Sequence, residues 1–219
     1  MTDQNDLQGD PGVVLHDYWR SSACYRVRIV LNLKGVTYRA APVDLTQGAQ
    51  ARDDYLALNA QGLVPALEID GAILTQSLAI IDYLDAKFPR PHMVPADPLR
   101  RSRTLALALV IAADVHPINN MRVLRSLRED YGASEQQVER WIHHWISAGF
   151  EALEVAAPED GLFGGDAPDL TDVCLVPQMY NARRFEMDLQ PYPRLTRIDA
   201  EMRQIAAVAA ATPEAVRPG

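Results

Sequence analysis

The sequence predicts an α/β domain followed by an all-α domain. Residues 13–88 read as strands and helices in the order β-α-β-α-β-β-α, because apolar residues alternate in some segments and recur with helical spacing in others. Four prolines within the eleven residues 88–98 then interrupt any helix. Beyond them the periodicity is helical, and we predict helices over 99–115, 135–154, 170–184 and 193–209.

These boundaries divide the chain into four parts. A chain of 219 residues, of which 48% are hydrophobic, can bury two small cores. We expect a disordered N-terminal tail at 1–11, an α/β domain at 12–89, a linker at 90–98 and a helical domain at 99–219.

The first strand and the first helix meet at a polar segment. The run 13–18 predicts a strand, the apolar residues from Ala23 to Leu31 predict a helical face, and Gly35 is suited to end that helix. Ser21 and Ser22 lie where the first helical amides lack intrahelical acceptors and can face a thiolate or a carboxylate. A serine here is commonly only an N-cap, and that interpretation remains open.

The rest of the α/β domain follows from local signals. A short helix is predicted near 51–58, and Val64-Pro65 begins a strand, as proline does at a sheet edge or in a cis turn. Asp70-Gly71 predicts a hairpin turn into the next strand, and a last helix is expected at about 76–88. In the helical domain, Asp169 is predicted to cap the helix that begins at 170.

Composition excludes several classes of function. The net charge of −8 and the pI near 5.1 argue against a nucleic-acid partner, which requires a basic face. We expect neither a signal peptide nor a membrane span, since no apolar run reaches about 18 residues, and therefore a cytoplasmic location. Cys24 and Cys174 are too far apart for a zinc motif, and His143-His144 lacks an i, i+4 partner, so no metal is expected.

Several motifs together identify a family resemblance. With the element order above, the segments SSACYRVRIVLNLKG, NAQGLVPALEIDG, TQSLAIIDYLD, HPINNMRVL, DVCLVPQ and NARRF resemble the cytosolic glutathione transferases, and specifically the zeta class, which includes maleylacetoacetate isomerase. The resemblance runs from about Val13 to Pro213. It implies a thioredoxin-like N-terminal domain, an all-helical C-terminal domain and glutathione as the cofactor.

The resemblance assigns a set of glutathione-binding residues. It implies a cis peptide bond at Val64-Pro65, with the valine backbone pairing with the cysteinyl part of glutathione. Gln76 and Ser77 match positions that receive the γ-glutamyl carboxylate, at a helix start where an anion site is also physically expected. For Ser77, a simple capping role remains the alternative.

The resemblance also assigns the catalytic hydroxyl. Ser21 matches the serine that orients and stabilises the glutathione thiolate, and Ser22 matches an assisting hydroxyl. The family's pattern here is Ser-Ser-Cys-Ser or Ser-Ser-Ala-Ser, whereas this chain has Ala23 followed by Cys24. Cys24 lies near a helix N-terminus, where the pKa of a thiol falls, so we treat it as a candidate reactive group; a space-filling role is the alternative.

Five further residues complete the predicted site: two asparagines are counted among the glutathione-binding residues, and three arginines among the substrate-binding residues. Asn119 and Asn120 match positions that reach glutathione or substrate, and Arg184 matches an arginine that binds a substrate carboxylate. Arg20 and Arg122 are directed by the resemblance toward the same cleft, and guanidinium groups bind carboxylates bidentately. Considered singly, such arginines are usually solvated surface charges.

The activity implied is glutathione-dependent cis–trans isomerisation of a dicarboxylic keto acid. Maleylacetoacetate, in aromatic amino acid breakdown, is the first choice of substrate and maleylpyruvate the close alternative. Glutathione transfer to small α-halo acids, with loss of halide, is a further enzymatic alternative. A non-catalytic binding module is a different class of function, against which Ser21, Gln76 and Ser77 argue. The resemblance also implies a homodimer, and no membrane partner is expected.

Overall fold

The computed structural model describes residues 12–218. The chain forms two compact units, one comprising residues up to Phe88 together with those from Ala210 onward, the other Pro89–Ala209. The tail predicted at 1–11 lies outside the described residues.

The first unit is built on a four-stranded sheet. Its strands are β1 (Val14–Asp17), β2 (Arg39–Pro42), β3 (Ala66–Ile69) and β4 (Ala72–Thr75). Their spatial order is β2-β1-β3-β4, with β1 parallel to β2 and antiparallel to β3, and β3 antiparallel to β4. This confirms the predicted strand and helix order and the thioredoxin-like fold.

Three helices accompany the sheet. They are α1 (Ser22–Leu33), α2 (Asp53–Leu58) and α3 (Ser77–Lys87), and two 3₁₀ turns at Leu45–Gln47 and Ala49–Ala51 precede α2. Val27, Val30 and Leu31 of the predicted apolar face of α1 are buried, and Ala23 is half-buried. Lys34 follows α1, and Gly35 adopts a positive φ of 64°, which suits a residue without a side chain.

The C-terminal residues belong to the first unit, not to the helical domain to which the range 99–219 assigned them. A short helix, α11 (Pro213–Val216), ends the described chain. Buried Arg28 in α1 donates from Nε to the carbonyl oxygen of buried Ala211 at 3.0 Å. A contact across 183 residues has no local sequence signal, which explains the difference.

The second unit is entirely helical. Its helices are α4 (Pro98–Leu109), α5 (His116–Ile118), α6 (Met121–Glu129), α7 (Glu135–Ala156), α8 (Leu170–Arg184), α9 (Pro193–Gln204) and α10 (Ala206–Ala209). A π-helical stretch, Val110–Val115, joins α4 to α5. The sequence analysis missed α6, because only Leu124 in it is buried and its remaining face is rich in charge. By length and composition alone, the run Pro98–Glu129 is long and apolar enough to cross a membrane, as core helices of soluble proteins also can be.

Helix α8 forms the core of this unit. Asp169 caps it as predicted, accepting from the amides of Thr171 and Asp172. The Asp172 carboxylate in turn accepts from the amides of Phe163, Gly164 and Asp169. Burial and the neighbouring Asp169 raise the pKa of Asp172 to about 7.

Candidate active site

Strand register brings three predicted site segments to one end of the sheet. His16, near the end of β1, pairs with Ala66 at the start of β3, and Ala66 pairs with Thr75 at the end of β4. Pro65 and Gln76, the next residues outward, therefore lie beside the carboxyl end of β1. The turn that leads to Ser21 begins at the same end, so a single ligand can contact all three segments.

Ser21 combines the capping role and the proposed catalytic role. Its Oγ accepts from the Cys24 amide at 3.3 Å, which makes it the N-cap of α1. Because capping uses a lone pair, the hydroxyl proton remains able to donate to a bound thiolate. Ser21 is partly exposed whereas Ser22 is buried, which favours Ser21 as the group that meets a ligand.

The structure favours the space-filling role of Cys24 over the reactive one. Its side chain is fully buried in α1. Burial raises the pKa of the Cys24 thiol well above its usual range, and the nearby Asp17 raises it further. Both effects disfavour the thiolate, which is the form that reacts.

Hydrogen bonds from helix α2, and from the residue that follows this helix, fix the backbone just before Pro65. Tyr55 Oη and Asn59 Nδ2 both donate to the Leu63 carbonyl at 2.7 Å. Gly62 has a φ of 60°, and an added Cβ would lie 3.1 Å from the Gln50 carbonyl oxygen, so a side chain is disfavoured there. The Val64-Pro65 bond is cis, as the resemblance implied.

The Gln76-Ser77 pair has the features of an anion-binding helix start. Gln76 adopts φ 67° and ψ 117°, a conformation rare for residues other than glycine, and its Nε2 donates to Gln61 Oε1 at 2.7 Å. Ser77 is the first residue of α3, and its Oγ accepts from Arg26 Nη1 at 3.4 Å. Ser77 is therefore not the N-cap.

Sequence reasoning missed Arg26. This arginine is 1% exposed and projects from α1 to the start of α3, 51 residues away. Its guanidinium adds positive charge beside the first amides of α3, where the helix dipole is also positive. Both features favour a carboxylate at Ser77. A charged residue among the apolar positions of α1 was the only available signal.

The second unit holds the two predicted asparagines. Asn120 caps α6, with Oδ1 accepting from the Arg122 amide at 3.1 Å. Asn119 differs, because both polar atoms of its side-chain amide are buried and hydrogen-bond to no described residue. A buried amide without partners is costly. Asn119 is thus the better candidate for a ligand contact.

Two predicted substrate arginines also lie in the second unit. Arg122 is exposed in the first turn of α6. Arg184 is exposed at the end of α8, stacks over the Phe185 ring at 4.4 Å and borders a cavity of about 280 Å³ that also contains Glu135 and Glu139. Convergence of these arginines with Arg20 of the first unit stays a prediction.

The absence of a metal cofactor stays a prediction. Among residues 12–218, no group of three or more His, Cys, Asp or Glu side chains could hold a metal ion. The ring of His143 instead lies with Nε2 2.7 Å from the Phe185 carbonyl oxygen, a structural contact.

Comparisons with known proteins agree with this arrangement. Residues 15–92 match the family described as "Glutathione S-transferase, N-terminal domain". A maleylpyruvate isomerase of Ralstonia sp is 44% identical over 92% of this chain and 97% of its own. A maleylacetoacetate isomerase of Rhizobium meliloti is 46% identical over 94% of this chain and 98% of its own. The chain belongs to the zeta-class glutathione transferases.

Solved structures of this family have the same fold as this chain. The holo structure of a maleylpyruvate isomerase of the zeta class matches with a TM-score of 0.91 and 43% identity, covering 94% of this chain and 99% of the other. A maleylacetoacetate isomerase of Methylobacterium extorquens AM1, with bound malonate and glutathione, matches with a TM-score of 0.86 and 37% identity over 94% and 98% of the two chains. The zeta-class family therefore includes members that hold glutathione and a dicarboxylate together.

Proposed function

We propose that this zeta-class protein is a glutathione-dependent isomerase that converts a cis maleyl keto acid into its trans isomer, with maleylacetoacetate as the first choice of substrate. The observation that carries the proposal is the single sheet end at which the Ser21 turn, cis Pro65 and Gln76-Ser77 meet. A purely structural module has no need for a partly exposed hydroxyl beside a peptide-binding edge.

The residues of the first unit fit glutathione as an extended, charged tripeptide. The Val64 backbone, held by the hydrogen bonds at Leu63, offers a fixed edge for the cysteinyl part. Ser77, Arg26 and the first amides of α3 suit the γ-glutamyl carboxylate. Gln76 is exposed beside them and holds a rare backbone conformation, as residues that position ligands often do.

Ser21 is the catalytic residue in this proposal. Bound glutathione supplies a thiolate that adds to the cis double bond, permits rotation about the resulting single bond and leaves again. The Ser21 hydroxyl and the positive N-terminus of α1 stabilise negative charge on sulfur. A lowered thiol pKa then raises the fraction of thiolate at neutral pH.

The arginines select the substrate. Maleylacetoacetate and maleylpyruvate each carry two carboxylates, and guanidinium groups bind carboxylates in a planar, bidentate manner. We assign this role to Arg20, Arg122 and Arg184, with Asn119 contributing amide hydrogen bonds. Fixed positive charges also stabilise the enolate that forms as charge moves from sulfur toward the substrate carbonyls.

Maleylpyruvate is the second candidate substrate. The Ralstonia relative, whose name is maleylpyruvate isomerase, matches this chain about as well as the Rhizobium meliloti maleylacetoacetate isomerase does. Both compounds carry the cis double bond, the adjacent carbonyl and the two carboxylates that the proposed site requires. The two substrates thus differ in the group between the carbonyl and the distal carboxylate.

An ultraviolet assay of both keto acids tests the proposal. The purified enzyme is mixed with maleylacetoacetate or maleylpyruvate, with and without glutathione, and the cis and trans isomers are quantified. We expect rapid isomerisation of at least one keto acid only when glutathione is present. Activity without glutathione, or no activity on either keto acid, would contradict the proposal, and the ratio of kcat/KM values identifies the preferred substrate.

We also propose that the enzyme is a cytoplasmic homodimer. The support for this proposal is the family resemblance, because single exposed apolar residues such as Ile73 and Leu99 are normal on monomers. In the arrangement that the family resemblance implies, the first unit of one subunit contacts the helical unit of the other. Light scattering at micromolar concentration should give about twice the 24.3 kDa chain mass, and a monomer mass would contradict the dimer.

A further inference from the structure

Two guanidinium groups lie against one indole ring beside the catalytic turn. The guanidinium carbon of Arg20 lies 5.4 Å from the centroid of the Trp19 ring, and that of Arg217 lies 5.1 Å from the same ring. Trp19 and Arg20 directly precede Ser21. Arg217 lies in the C-terminal segment, so the two arginines are far apart in the sequence.

The C-terminal segment is held in place by contacts within the first unit. Arg28, buried in α1, donates to the Ala211 carbonyl at 3.0 Å and to the Trp19 carbonyl at 2.9 Å. Thr212 Oγ1 then caps α11 by accepting from the Ala215 amide at 3.3 Å. One guanidinium thus connects the C-terminal segment to the Trp19 backbone, which brings Arg217 to the indole.

These residues border a cavity of about 580 Å³. Its lining includes Tyr18, Trp19, Arg20, Tyr38 and the segment 216–218. The carboxyl ends of the parallel strands β1 and β2 lie at the same end of the sheet, and residues following both strands contribute to the lining. The cavity is therefore adjacent to the turn that carries Ser21.

The acidic groups of the cavity already have partners. Both carboxylate oxygens of Asp17 accept from Arg28 Nη1, at 2.7 and 2.9 Å. Asp44 Oδ1 accepts from the amide and the hydroxyl of Thr46. The charges of Asp17 and Arg28 cancel. Arg20, Arg217 and Asp44 then leave the cavity lining with a net charge of +1.

We propose that Arg217 is a substrate-binding residue that, with Arg20, holds the distal carboxylate of the dianionic substrate over Trp19. This inference rests on the proposed isomerase function. Two like charges near one ring repel each other, and a carboxylate that pairs with both guanidinium groups offsets this repulsion. The indole ring stabilises both guanidinium groups before the substrate arrives. The C-terminal segment thereby becomes part of the specificity site.

The test compares three variants: Arg217→Gln, Arg217→Lys and, as a matched control, Arg140→Gln, which removes an exposed arginine from α7. Malonate binding is measured by titration calorimetry in the presence of saturating glutathione. We expect Arg217→Gln to weaken malonate binding about five- to tenfold. This loss of affinity lies between the contributions of an exposed ion pair and of a charge-assisted hydrogen bond. Arg217→Lys should give a smaller loss, because lysine keeps the charge but not the planar fork.

Kinetics provide a second readout. For the preferred keto acid, Arg217→Gln should raise KM by a similar factor with little change in kcat, since the contact is distant from the reacting carbons. Conjugation of glutathione to methyl vinyl ketone, an uncharged electrophile, should be unchanged. A variant that loses both activities equally would show that the C-terminal segment has only a structural role, which would overturn the inference.

The remaining outcomes separate this inference from the proposed function. If the wild-type enzyme isomerises a keto acid while Arg217→Gln behaves as Arg140→Gln does in both assays, the role of Arg217 is refuted and the isomerase function stands. If the wild-type enzyme isomerises neither keto acid, the proposed function itself fails. Absence of malonate binding to the wild-type enzyme would also refute the carboxylate site.

Discussion

Arg28 and Asp17 form a buried ion pair in which one guanidinium nitrogen bridges both carboxylate oxygens, at 2.7 and 2.9 Å. The other nitrogens of Arg28 donate to the Trp19 and Ala211 carbonyls. A single side chain in α1 therefore fixes the end of β1, the residue that leads into the Ser21 turn and the C-terminal segment. The geometry of the candidate site depends on this arrangement.

Loss of Arg28 should destabilise the fold strongly. Arg28→Met leaves the Asp17 carboxylate buried without its cation, which costs about 3–5 kcal/mol in comparable cases. Urea unfolding monitored by circular dichroism measures the free energy of unfolding. Arg52→Met, at an exposed arginine of the same unit, should change it little. Equal stability of the two variants would show that the ion pair is not structurally important.

Arg26 should determine glutathione affinity. Arg26→Lys cannot reproduce the guanidinium contact with Ser77 Oγ, so we expect the KM for glutathione to rise about tenfold with a smaller change in kcat. A double-mutant cycle with Ser77→Ala measures the coupling. Independent, additive effects would contradict a shared site, and a thermal melt of each variant distinguishes a binding defect from unfolding.

Much of this site could be predicted from local sequence signals. The turn at Ser21 and the helix start at Ser77 lie at strand and helix ends, which periodicity marks, whereas the cis Val64-Pro65 bond and the roles of these residues were implied by the family resemblance. Arg26 and Arg28 could not be assigned in this way. Arg26 contacts Ser77, 51 residues away, and Arg28 contacts Ala211, 183 residues away; nothing in the helical spacing of α1 distinguishes a buried arginine from a solvated one.

The interpretation of Cys24 shows how burial can oppose a local rule. Proximity to a helix N-terminus lowers the pKa of a thiol only when the thiolate is solvated or paired. Here complete burial and the carboxylate of Asp17 raise the pKa instead. Exposure is a tertiary property, so the sequence alone could not decide between a reactive and a space-filling cysteine.

Ser21 and Ser22 should differ in their contributions to catalysis. Ser21→Ala removes the donor to the thiolate, and we expect kcat/KM to fall about 10²-fold, the scale of losing one donor to a developing anion. Ser22→Ala should cost less, because Ser22 is buried. The pH dependence of kcat/KM should shift to higher pH in Ser21→Ala only. A larger loss in Ser22→Ala would reverse the assignment.

Cys24 should be inert in the native enzyme. Iodoacetamide at pH 8.5 should modify it only after unfolding, as peptide mapping can show, and Cys24→Ala should retain activity. The pKa of the Cys24 thiol is higher in the folded protein than in the unfolded chain, so the neutral thiol contributes to the free energy of unfolding at low pH. This contribution is lost as the pH rises above the pKa of the thiol in the unfolded chain. The wild-type protein should lose about 1–2 kcal/mol between pH 8 and 10 that Cys24→Ala does not lose. Rapid native alkylation would contradict this account.

The most direct test of the isomerase account is the stoichiometry of glutathione. An isomerase regenerates glutathione in every cycle, whereas a transferase consumes one molecule for each product. The enzyme is incubated with maleylacetoacetate, and in parallel with maleylpyruvate, with glutathione in large molar deficit, and the products are followed by mass spectrometry. We predict complete conversion of at least one keto acid to its trans isomer, with glutathione recovered unchanged. Conversion that stops when one glutathione conjugate has formed per molecule of glutathione added would contradict the account.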